Sequence, residues 1–137
     1  MKKTLIILLL IATFSLSSCK MRENIDEANT LVHNFCSSLE TNDISKARSY
    51  LHPDSNLNDK DFITSLREIE NKYDIDFSDG ITIKRRTSFE ITAYHSEYDG
   101  SVYEITYRVV VSEKRLDFNF MFVKNTIGYG IYTFEVL

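Results

Sequence analysis

At Ile81 the spacing of apolar residues changes, and the change divides the chain into two kinds of structure. Before it, apolar residues recur at three- and four-residue steps, the repeat of a helix with one buried face. After it they alternate one by one, the repeat of a strand with one buried face. Helices first and strands second specify an α+β chain, with the helices packed on one face of an antiparallel sheet.

In the helical half, Ile25, Ala28, Val32, Phe35, Cys36 and Leu39 form one stripe and predict a helix over roughly residues 24–40. Thr41-Asn42-Asp43 breaks it and caps a short second helix with Ile44, Ala47 and Leu51 on its buried side; Pro53 ends that helix. A third helix is predicted from Asn58, a capping residue, with Leu57 closing over Phe62 and Asp61 in the first turn. Phe62, Leu66, Ile69 and Tyr73 face inward, and Ser78-Asp79-Gly80 closes the helical half.

In the second half, Ile81 and Ile83, then Phe89, Ile91 and Ala93, alternate with polar residues. A turn at 98–101 leads to Tyr103, Ile105, Tyr107, Val109 and Val111 on one strand face. A turn at 112–115 leads to Leu116, Phe118, Phe120 and Phe122, and a turn at 125–128 to a last strand over 129–137. Turns this closely spaced predict an antiparallel meander that curls over the helices.

The N-terminus is a separate matter. Lys2 and Lys3 precede Leu5–Phe14, an uncharged run that suits the core of a secretory signal and is short for a bilayer span. The run ends in Leu16-Ser17-Ser18-Cys19, which resembles the bacterial lipobox at all four positions. The resemblance implies that residues 1–18 are a signal peptide and that Cys19 carries lipid. Residues 19–24 then form a lipidated tether, and residues 25–137 a single domain. Each buried methylene of an acyl chain contributes about 0.8 kcal/mol, and two or more chains anchor a protein stably. Lys20 after the cysteine, by resemblance to the enterobacterial sorting rule, favours the outer membrane.

The chain carries 16 Lys and Arg against 20 Asp and Glu, and losing Lys2 and Lys3 makes it more acidic still. That balance argues against general nucleic-acid binding. With Cys19 taken by lipid, Cys36 has no partner for an intrachain disulfide and reads as a small buried apolar residue.

Two stretches, Phe35–Pro53 and Asp117–Leu137, set in this element order, resemble the nuclear transport factor 2-like superfamily, also described as a cystatin-like cone. Phe35–Pro53 is similar to the family's opening helix, polar turn and further helix ending near a proline. Asp117–Leu137 is similar to its closing aromatic hairpin. The resemblance implies a curved sheet wrapped on helices around a pocket open at one end. Members of the superfamily include isomerases, cyclases, dehydratases and scaffolding dimers. Fold alone therefore does not choose a function.

No phosphate loop, nucleophile elbow or paired cysteines are present, so no catalytic residue, metal ligand or cofactor is assigned. Asp117, opposite in direction to the phenylalanines, is a base only if its face is the concave one. His33, Cys36 and His52 lack an evident fourth zinc ligand. His95 reads as a solvated strand end, with a place at a pocket mouth as the sharper alternative. Lys84-Arg85-Arg86 is the only basic cluster, suited to an anionic headgroup, a partner's carboxylate, or an edge strand that resists pairing.

The expectation is a lipid-anchored envelope domain that binds a small apolar or aromatic ligand without turning it over. Tyr94, Tyr103, Tyr107, Phe118 and Phe120 are its candidate lining. The alternatives are a protein-interaction or homodimerising module of an envelope complex and, third, an isomerase- or dehydratase-like enzyme.

Overall fold

The computed structural model describes the backbone of residues 2–58 and 61–137, and the side chains of residues 21–58 and 61–137. The lipobox and Cys19 therefore lie outside the residues whose side chains are described. The chain divides into two compact units, Met1–Thr30 and Leu31–Leu137. The first is the leading part of helix α1 (Lys2–Glu40). Among the described residues no helix is long and apolar enough to cross a membrane.

The second unit holds the end of α1, helices α2 (Ile44–Ser49) and α3 (Asp61–Tyr73), and four strands. The strands are β1 (Ile81–His95), β2 (Gly100–Val111), β3 (Lys114–Asn125) and β4 (Tyr129–Val136). They form one antiparallel sheet in the order β1-β2-β3-β4, the expected meander. The change of period at Ile81 is thus the boundary between helices and sheet, and the chain is α+β.

Several element boundaries differ from expectation: α1 runs from Lys2 rather than from about residue 24, and α2 ends at Ser49, so Leu51 leaves the helix and bridges to Ile131. Helix α3 is described over Asp61–Tyr73, and residues 59 and 60 before it lie outside the described residues; the Asn58 Nδ2 donates to the carbonyls of His52 (2.7 Å) and Pro53 (3.0 Å). Residues 56–58 form a 3₁₀ turn instead. The alternating segments after Ile81 are one 15-residue strand, bent by three register shifts against β2. Each shift adds a residue to β1, which curves the sheet.

The core is aromatic. Phe35 of α1 lies 5.5 Å from Phe134, 6.0 Å from Phe120 and 6.2 Å from Phe62, so one ring joins two helices to two strands. Phe120 and Phe134 stack at 5.0 Å. Pairs like these contribute about 0.5–1.5 kcal/mol each beyond the area they bury. The outer edge of β4 is bridged at Ile131 by the chain leaving α2: His52 N–H donates to Ile131 O (2.8 Å), and Ile131 N–H to Tyr50 O (3.0 Å). Gly130 permits this approach, since a Cβ there would lie 2.6 Å from the His52 nitrogen. No such segment covers β1 among the described residues.

Candidate functional site

Helix α3 presents two faces. Phe62 and Leu66 turn into the core. Ile63, Arg67 and Glu70 follow at steps of four and three and share the neighbouring face. That face borders a groove of about 470 Å³, within the range of small-molecule sites. Leu39, Leu66 and Phe77 border it but are buried, Ile63 remains 38% exposed, and the groove's open surface is more polar than apolar.

Local hydrogen bonding shapes the groove walls. At the end of α1, Asn42 takes a left-handed conformation (φ 54°), which asparagine tolerates. Its N–H donates to Leu39 O (3.0 Å), and Asp43 N–H donates to Ser38 O (2.8 Å). Asp43 then caps α2 by accepting from Lys46 N–H at 3.0 Å, which brings Ile44 to the groove. On the far wall, Glu70 Oε1 accepts from Phe77 N–H (3.0 Å). Asp76 accepts from the hydroxyl (2.6 Å) and N–H (2.8 Å) of Ser78, bonds that hold its carboxyl below the usual range. Both acids thus accept hydrogen bonds from the groove's own frame. Arg67 has no ion-pair partner among the described residues and supplies the rim's available cation. The arrangement offers a mainly polar groove with Ile44 and Ile63 as its accessible apolar contacts and one fork of donors beside them.

A second cavity, of about 190 Å³, lies beside His52. His52 is completely buried; its Nδ1 accepts from Asp54 N–H (3.1 Å), so Nε2 carries the proton and donates to Asn125 Oδ1 (3.1 Å). Asn125 Oδ1 also accepts from the N–H groups of Ile127 and Gly128. Every polar atom of this histidine ring is spent on holding the fold.

The five residues expected to line a pocket do not share one open surface. Tyr103, Tyr107, Phe118 and Phe120 are buried in the packed core, and burial pushes the Tyr107 hydroxyl up to about 12. Tyr94 is 63% exposed at the end of β1, where its hydroxyl donates to Asp99 (3.0 Å). None of the five borders either cavity: the rings of Tyr103, Tyr107, Phe118 and Phe120 fill the space between sheet and helices that a hollow cone would leave, and Tyr94 lies outside it.

The remaining candidates separate as well. Asp117 is clamped by Arg108 through two hydrogen bonds of 2.7 and 2.8 Å, which hold its carboxyl below the usual range and suit it poorly to act as a base. His33 is exposed and Cys36 is buried, with burial, and then Glu40, pushing its thiol up to about 12. No three metal-ligating side chains gather among the described residues. His95 is half-buried, its ring 5.1 Å from that of Tyr98. Sequence reasoning missed the groove, although an apolar Ile63 four residues before Arg67 on the helix's polar side was its signal.

No protein-family model matches the sequence, no curated protein matches it, and no solved structure matches the fold.

Proposed function

We propose that the chain is a lipid-anchored domain of the bacterial envelope that binds a small apolar or aromatic ligand in the α3 groove. The observation that carries the reading is the pair of accessible apolar side chains, Ile44 and Ile63, beside Arg67 in the groove. The ligand's apolar body lies against Ile44 and Ile63, and an acceptor group on it meets the guanidinium. The tether rests on the leader's charge, length and Leu16-Ser17-Ser18-Cys19 box. The nuclear transport factor 2-like cone remains the fold family this reading favours, supported by the element order and the bent four-stranded sheet. In that reading the cone's interior is filled, and binding has moved to the helix side. The outer membrane is the proposed location.

Benzoate, a ring with one carboxylate, is a suitable probe. Titrated into the full chain in detergent, it is expected to shift the Ile44 and Ile63 methyl resonances saturably and to leave the Tyr94 ring unmoved. Arg67→Ala should weaken that response about tenfold, the loss of one charge-assisted hydrogen bond. Absence of a saturable response at these methyls overturns the placement of the site.

Another reading, an interaction module, is favoured by one observation: the long exposed edge of β1.

A further inference from the structure

The two edges of the sheet are treated differently. Residues 50–52 bridge β4 at Ile131, whereas β1 presents 15 residues, nearly all of them exposed or half-buried. Unpaired edges of this length invite another strand, and charges or bulges are the usual protection. β1 has both, so its charges decide whether it repels every strand or selects one.

Directly opposite residues in an antiparallel pair point to the same side of the sheet. Arg86 lies opposite Tyr107 and Phe89 opposite Ile105, both partners buried, so Arg86 and Phe89 are on the inner side. Arg85 lies opposite Arg108, and Glu90 opposite Glu104, on the outer side. Each of these is a like-charge neighbour pair, which destabilises a sheet. Asp117 relieves the arginines through its clamp on Arg108. Neither Glu90 nor Glu104 has an ion-pair partner among the described residues.

We propose that β1 pairs antiparallel with β1 of a second copy of this chain, about a two-fold axis between Thr87 and Ser88. This register places Arg85 opposite Glu90 of the second copy, outer side with outer side. It places Arg86 opposite Phe89 of the second copy, inner side with inner side. Symmetry produces each contact twice. The axis falls at the register shift between Arg86 and Ser88, where Thr87 is the extra residue, so the ladder is interrupted at its centre and pairs again at Arg86–Phe89 and Arg85–Glu90 on either side. The self-complementary charge is what commits the edge to its own copy. The Arg86 guanidinium already lies 5.6 Å from the Phe89 ring within one chain, so the inner-side contact extends an interaction in place. The result is a continuous sheet through the dimer, and it is independent of what the α3 groove binds.

The test uses the full chain in a mild non-ionic detergent, with mass measured by light scattering after subtraction of the micelle. The unaltered chain is expected to be a dimer. Arg85→Glu alone and Glu90→Arg alone each place like charges across the two-fold axis and should weaken association at least about tenfold. Mixed in equal amounts, the two variants complement one another and should recover the dimer. Both positions are exposed, and circular dichroism of each variant confirms that its fold is kept. A monomeric unaltered chain overturns the proposal. So does a dimer indifferent to both reversals, or a mixture that stays monomeric.

Discussion

His52 Nε2 and Asn125 Oδ1 lie 3.1 Å apart, 73 residues apart in sequence, and join the loop after α2 to the β3–β4 turn. The contact is one of several the asparagine makes. Its oxygen accepts from Ile127 and Gly128, and its Nδ2 donates to Tyr98 O at 2.8 Å.

Asn125→Ala leaves a buried histidine N–H without an acceptor and releases the turn. It should cost about 2–4 kcal/mol, since unsatisfied buried polar groups cost about 1–3 kcal/mol each. Denaturant unfolding of the variant measures this directly, and a loss below about half a kilocalorie would refute the role given to Asn125.

Gly130→Ala should destabilise through contact alone. The added methyl meets the backbone of Leu51 and His52, at 2.7 and 2.6 Å, and backbone cannot swing aside. A loss of about 1–3 kcal/mol, the usual cost of overpacking, is expected in thermal unfolding.

Phe120→Ala and Tyr94→Ala should differ sharply. Phe120 is fully buried against Phe35, Tyr107, Phe122 and Phe134, so its removal should cost about 3–5 kcal/mol. Tyr94 is mostly exposed, and its loss should stay within about 0.5 kcal/mol. Equal effects would mean that the interior is less filled than the ring contacts require.

Two groups give stability opposite slopes with pH. The Cys36 thiol has its folded value raised from 9.0 to about 12. Between those values the unfolded chain has lost the proton that the folded chain keeps. Stability is therefore full below about pH 9 and falls as pH rises towards 12. Cys36→Ala should flatten that alkaline decline. Asp117 is the reverse: its folded value is lowered by Arg108, so its contribution is present above the ordinary carboxylate range and is lost as pH falls through its own value. Arg108→Ala should return the Asp117 carboxyl to the ordinary range in a carbon-detected titration.

The α+β class and the meander were legible because period and turn chemistry are local: Phe118, Phe120 and Phe122 face inward as their alternation requires. The 3₁₀ turn at 56–58 was not legible, because Asn58 bonds to His52 and Pro53 carbonyls, a choice made by a loop that local sequence does not reveal. The bends of β1 carry no Gly or Pro to announce them. Buried Tyr103 and Phe120 read the same in sequence whether they line a hollow or fill it; only the rings of Phe35 and Phe134 packed against Phe120 decide for filling. The groove was obscured for the opposite reason, since Ile63 lies off the stripe that defines the core side of α3.

Whether the α3 groove holds a ligand is tested most directly by native mass spectrometry of the full chain taken from bacterial envelopes. The predicted result is a reproducible added mass of small-molecule size, distinct from detergent, that is lost in a folded Ile63→Asp variant. A bare chain, or an added mass that persists in Ile63→Asp, would contradict it.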